Sequence, residues 1–84
     1  MFWYVYIAKS RKSFYYTGIT TDIESRIIKH NTGKGAKMAK DQGPFLLIYK
    51  SKPFISKSKA RIREAQIKGW SRIKKEKLIN GEWI

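Results

Sequence analysis

The 84-residue chain contains no cysteine and a single histidine. The first absence excludes a disulfide framework and a thiolate metal site; the second excludes a zinc centre built on several imidazoles. Acidic residues are scarce as well. Six Asp and Glu stand against nineteen Lys and Arg, a formal net charge of +13. No apolar run approaches the ~18 residues that would suggest a membrane-spanning helix. The N-terminal MFWYVYIAK lacks the charged start and small-residue cleavage site of a signal peptide and alternates like a strand. A cytoplasmic location is therefore expected. There is no Walker loop, no HExxH, no internal repeat and no low-complexity segment.

What the chain does have is positive charge, and a field of that sign draws in polyanions and speeds their encounter. Nucleic acid is the expected partner. An anionic membrane surface would call for a basic amphipathic helix with a clean apolar face. The length suits one small domain, residues 1–84. Nothing suggests a large apolar surface left uncovered, so a monomer is expected.

Residues 2–9, FWYVYIAK, alternate Trp3, Val5 and Ile7 with Tyr4, Tyr6 and Ala8, which is the period of a strand. SRKS (10–13) is a polar turn, and FYYTGIT (14–20) pairs back as the second arm of a hairpin. Thr21 and Glu24 have the spacing of a capping box, predicting a helix over 22–31 with Ile23, Ile27 and Ile28 on its apolar side. NTGKGAKMAKDQGP (31–44) reads as an irregular basic connection, and FLLIYKSK (45–52) as a third strand entered after Pro44 and stopped by Pro53. Ser56 caps a second helix running to about 69, where Gly69 closes it, and Ser71 starts a third through about 78. The order β-β-α-β-α-α implies an α/β (α+β) fold, a three-stranded sheet flanked by helices.

Few side chains are placed for chemistry. On a helical wheel Glu64 falls within ~60° of Ala60 and Ile67 and so leans towards the sheet. It can pair with Lys68 at i,i+4, or hold Mg²⁺, which commonly takes one or two carboxylates plus waters and substrate phosphates. Arg26 and His30 share a helix face at i,i+4 and suit phosphate binding and proton exchange, or simple solvation. Arg61 and Arg63 flank Glu64 in sequence, and Lys34 and Lys37 lie in the basic connection; these four are candidate nucleic-acid contacts. Tyr4, Tyr6 and Ala8 face the same way as Phe14, Tyr16, Gly18 and Thr20 on the neighbouring strand. Such an aromatic stripe serves as core or as a stacking platform for bases. Gly18 weakens its strand, so either a local bulge or a close approach explains it. A phosphate backbone reaching Tyr6 and Tyr16 would need that room.

The ordered set YVY (4–6), YTG (16–18), RIIKHN (26–31) and Glu64 resembles the GIY-YIG nuclease superfamily, in particular its small stand-alone bacterial members. The resemblance implies a three-stranded antiparallel sheet flanked by helices. It also implies metal-dependent endonucleolytic hydrolysis of DNA, with branched or damaged structures among the substrates. Carried over residue by residue, Tyr6 would activate the attacking water with His30 as proton acceptor. Tyr16 would position water or phosphate, and Gly18 would leave space beside the scissile group. Arg26 would stabilise phosphoryl charge, and Glu64 would hold Mg²⁺ or Mn²⁺. Ile19 stands where many relatives carry a lysine. A free tyrosine has a pKa of roughly 10, so Tyr6 is expected to act as a base only in the assembled complex, where Arg26, His30 and a metal lower it.

Overall fold

The computed structural model describes residues 1–32 and 44–82, with the backbone alone at His30 and Thr32. It contains β1 (Tyr4–Lys9), β2 (Tyr15–Thr20), α1 (Ile23–Thr32), β3 (Leu46–Lys50), α2 (Lys57–Lys68) and α3 (Arg72–Ile79). The strands form an antiparallel sheet in the order β2-β1-β3. Among the described residues the elements follow the expected order; most of the irregular basic connection expected over 31–44 lies outside them.

Alternation along β1 sorts its side chains onto two packed faces. Val5 and Ile7 point to the side covered by α2 and α3, where Ala60, Ile67 and Leu78 complete a buried cluster. Tyr6 and Ala8 point to the side covered by α1, meeting Ile23 and Phe45. Because β1 is the central strand and both faces are covered, Val5, Ile7 and Ala8 are fully buried. Each large aliphatic side chain in such a position contributes roughly 1.5–3 kcal/mol of burial.

The β1–β2 turn is tighter than the four polar residues suggest. Ser10 and Phe14 pair through their backbones at 2.9 Å, and the Ser10 hydroxyl accepts a second bond from the Phe14 N–H. Phe14 thus lies just outside β2, with about half its surface exposed. Ser13 adopts a left-handed φ of 69°, a conformation usually given to glycine.

Three further details depart from the sequence-based expectation. First, α1 is capped by Asp22 and not by the Thr21–Glu24 box. Asp22 Oδ1 accepts from the Ser25 N–H, and Oδ2 accepts from the Ser25 hydroxyl at 2.9 Å. The buried Thr20 hydroxyl meets the Asp22 N–H and carbonyl, which holds the helix start one residue later. Ile28, expected on the apolar side, is exposed.

Second, β3 contains a bulge. Ile7 pairs with Tyr49 and Ala8 with Leu47, so Ile48 is an extra residue. Ile48 and Tyr49 both pack towards the α2–α3 side.

Third, β3 ends at Lys50 instead of running to 52. There the Ser51 hydroxyl accepts the Val5 N–H at 2.9 Å and donates to the Lys52 carbonyl. A side chain thereby takes the place of the next ladder carbonyl. Ser56 and Ser71 cap α2 and α3 as expected. Gly69 closes α2 in a right-handed conformation, its N–H shared between Ala65 and Gln66 carbonyls. No helix among the described residues is long and apolar enough to cross a membrane.

Candidate active site

Tyr6 sits on the α1 face of the central strand, directly opposite Gly18 on the edge strand β2. A Cβ added to Gly18 would lie 2.7 Å from the Tyr6 hydroxyl oxygen, 2.8 Å from Cζ and 3.0 Å from Cε1. The Tyr6 ring therefore lies flat across the glycine and carries its hydroxyl outwards over β2. The close approach expected at Gly18 is present, and Tyr6 makes it. The room it leaves is taken by the site's own phenol, and no bulge occurs at this pair.

Ala8, the next residue of β1 on this face, pairs with Tyr16. With only a methyl group there, the Tyr16 ring and the buried Phe45 ring meet edge to face, centroids 5.2 Å apart at 76°. Phe45 is held in turn by Asn31 at the end of α1. The side-chain amide accepts the Phe45 N–H at 2.6 Å and donates to its carbonyl at 3.2 Å. Asn31 was not singled out from the sequence. Its suitability for side-chain to backbone bonding was visible, but a partner fourteen residues away was not.

Two charges reach the Tyr6 phenol from different elements. Burial raises its pKa above the ordinary 10.0; Arg26, on α1, opposes that rise, and Glu64, on α2, adds to it. One phenol thus feels a cation from the helix over one face and a carboxylate from a helix packed on the other. Arg26 acts in the expected direction, but burial outweighs it, so without a bound cation the Tyr6 hydroxyl keeps its proton past neutral pH. The Glu64 side chain is 18% exposed and makes the i,i+4 ion pair anticipated as one alternative, 3.5 Å from the Lys68 Nζ.

The remaining expected residues divide. The His30 backbone continues α1 one turn beyond Arg26, but its side chain lies outside the described residues, as do Lys34 and Lys37. Arg61 is exposed on α2. Arg63 turns elsewhere, its guanidinium 5.0 Å from the Trp70 ring centroid and its Nη1 donating to Gln66 Oε1 at 3.1 Å. Ile19 packs on the opposite face of the sheet, so no polar group comes from that position. A groove of about 680 Å³, lined in part by Tyr49, Lys52, Phe54 and Leu78, includes none of Tyr6, Gly18, Arg26 or Glu64.

The donor set limits which metal could bind. Among the described residues no three His, Cys, Asp or Glu side chains cluster, so a preformed protein cage of zinc type does not fit. A partly exposed lone carboxylate does fit a hard cation that draws its other ligands from water and substrate phosphate.

The model of the GIY-YIG catalytic domain matches residues 2–77, nearly the whole chain. The chain belongs to the GIY-YIG family. Over 76 residues it is 50% identical to the UPF0213 protein SH2523 of Staphylococcus haemolyticus, spanning 90% of this chain and 92% of that protein. Over 77 residues it is 51% identical to the UPF0213 protein SSP2268 of Staphylococcus saprophyticus, spanning 92% and 93%. Its fold is similar to the solution NMR structure of the UPF0213 protein BH0048 from Bacillus halodurans. That match has a TM-score of 0.60 and 45% identity, covering 95% of this chain and 84% of the other. It is similar also to the solution NMR structure of EF2693 from E. faecalis, with a TM-score of 0.65, 32% identity and 96% and 85% coverage. Membership of the GIY-YIG family supports a nuclease-type function, a nucleic-acid substrate and the general use of divalent metals.

Proposed function

We propose that this GIY-YIG protein is a divalent-metal-dependent endonuclease that hydrolyses DNA phosphodiester bonds. Tyr6 is the water-activating base and Glu64 the metal ligand. The observation that supports it most is the seating of the Tyr6 phenol across Gly18, under the influence of both Arg26 and Glu64.

In this reading the Tyr6 hydroxyl first gives its proton towards His30, one helical turn from Arg26, and the resulting phenolate takes a proton from the attacking water. Tyr16, held edge-on by Phe45, positions the water or phosphate. Arg26 steadies negative charge on the phosphoryl oxygens through charge-assisted hydrogen bonds. Glu64 would hold a hard cation such as Mg²⁺ or Mn²⁺, which when bound would supply positive charge for the phosphoryl oxygens and offset the field of the carboxylate on Tyr6. Before any cation binds, Lys68 serves as the counter-charge of Glu64. The Lys68 end of this pair is solvent-exposed, so a cation can displace it from the largely buried Glu64 carboxylate.

A second reading, a nucleic-acid-binding module with weak or no catalysis, is favoured by the raised pKa of Tyr6 and the engagement of Glu64 by Lys68. One assay separates the two. Single-stranded, duplex and branched DNA are incubated with Mg²⁺ or Mn²⁺ and either the wild type or Glu64→Ala. The nuclease reading expects metal-dependent cutting by the wild type that the variant lacks. Equal, salt-sensitive binding by both proteins with no cutting would leave only the module.

A further inference from the structure

Away from the Tyr6 site, aromatic rings hold cations at the corner where α2 turns into α3. Trp70, in that turn, carries the Arg63 guanidinium 5.0 Å and the Lys74 ammonium 4.3 Å from its ring centroid. Beside it the Arg72 guanidinium stands 4.2 Å from the Tyr15 centroid and donates through Nη1 to the Ser13 carbonyl at 2.7 Å. The carboxylate at this corner, Glu76, accepts a hydrogen bond from the Tyr15 hydroxyl. The helices here are lopsided in charge: α2 carries five Lys and Arg against one Glu, and α3 four against one. By contrast α1 carries two against one, with Asp22 added at its cap.

A ring beneath a cation orients it without cancelling its charge. Free Lys and Arg side chains lose up to ~2 kcal/mol of rotamer entropy when fixed on a ligand. Rings that restrict these heads beforehand reduce that cost for whatever anion they meet. Both Trp70 and Tyr15 belong to the packed α2–α3 side of the sheet, so the cations stand on a rigid base.

We propose that this corner, with Arg63, Arg72 and Lys74 set by Trp70 and Tyr15, is a docking platform for the phosphate backbone of duplex DNA. It would hold the substrate away from the scissile bond. The proposal rests on a nucleic-acid substrate but not on catalysis by Tyr6 or Glu64. Charge complementarity favours a polyanion, and rigid heads suit the regular spacing of a duplex backbone better than a fluid lipid surface.

The test measures binding of a labelled DNA duplex by fluorescence anisotropy over a series of salt concentrations, without metal, in the Glu64→Ala background. Each phosphate contact contributes about 0.9 to the slope of log affinity against log salt. The double variant Arg72→Gln, Lys74→Gln is therefore expected to lower the slope by about two and the affinity at moderate salt by roughly tenfold or more. Lys74→Gln alone, which leaves the Arg72–Ser13 bond in place, should lower it by about one. The equal charge loss Lys52→Gln, Lys59→Gln, before and at the start of α2, should change it less. An unchanged slope in natively folded Lys74→Gln would overturn the platform, even if the wild type cuts DNA. So would the absence of any duplex binding. Selective loss of binding to phosphatidylserine-containing vesicles, with DNA binding intact, would assign the corner to lipid and overturn it too. Platform binding without metal-dependent cutting by the wild type would instead count against the nuclease reading alone.

Discussion

A methyl group added to Gly18 would meet the Tyr6 hydroxyl oxygen at 2.7 Å and the ring itself at 2.8 Å. Because the ring is packed beneath α1 and only 5% exposed, it has little freedom to withdraw. Gly18→Ala should therefore destabilise the protein by about 1–3 kcal/mol, the usual cost of overpacking, and displace the phenol. Thermal melting reads the first effect. The second should appear as a loss of nuclease activity larger than any loss of DNA affinity. A Gly18→Ala protein with wild-type melting and wild-type tyrosine signals would show that the ring does not lie where described. The charges around Tyr6 make a second prediction. NMR titration of ring-labelled tyrosine should place Tyr6 above the ordinary 10.0, with Glu64→Gln lowering it and Arg26→Gln raising it further. The folded state holds this proton more tightly than the unfolded chain does. Its contribution to stability is therefore complete below the unfolded pKa near 10 and is lost as pH rises through the higher folded value. Unchanged titration in both variants would contradict the convergence of α1 and α2 on the phenol.

Local chemistry set much of what each element does, and it was legible where partners lie close in sequence. Ser56 and Ser71 cap their helices as their positions suggest, and the alternation in β1 sorts its two faces correctly. Thr21 and Glu24 mislead because two neighbouring residues can cap, and the choice is made by the buried Thr20 hydroxyl, a tertiary circumstance. The bulge at Ile48 and the Ser51 bond to Val5 were not legible, since each depends on how β3 lies against a strand some forty residues earlier. The cap assignment is open to test. Asp22→Ala should lower the melting temperature, and Thr21→Ala should leave it near the wild-type value. The Asp22 carboxyl is held below its usual pKa, chiefly by the Ser25 N–H and then by the Ser25 hydroxyl. Its stabilising effect should thus be present above the unfolded pKa and fade as pH falls through the lower folded value. Asn31 offers a sharper case. Asn31→Ala leaves the Phe45 N–H and carbonyl without their side-chain partners, at about 1–3 kcal/mol for unsatisfied groups. Hydrogen exchange at the Phe45 amide should accelerate in that variant, and exchange unchanged there would remove Asn31 from its place between α1 and β3.

At the scale of the whole molecule, three of the six carboxylates in a strongly basic chain have local duties. Asp22 caps a helix, Glu76 meets Tyr15, and Glu64 pairs with Lys68 while its charge acts on Tyr6. The family and the sheet were legible in the ordered tyrosines, Gly18 and Glu64, spread along most of the chain. The burial of Tyr6 was not, because it depends on how α1 closes over the sheet and sequence spacing carries no measure of it. In the proposed mechanism Tyr6 is the group that activates water. The most direct measurement is single-turnover cleavage of a labelled DNA duplex with Mg²⁺ or Mn²⁺, comparing Tyr6→Phe with the wild type at matched DNA occupancy. Loss of a general base predicts a rate lower by ~10²–10⁴-fold with DNA affinity little changed. Cleavage by Tyr6→Phe at the wild-type rate would contradict it.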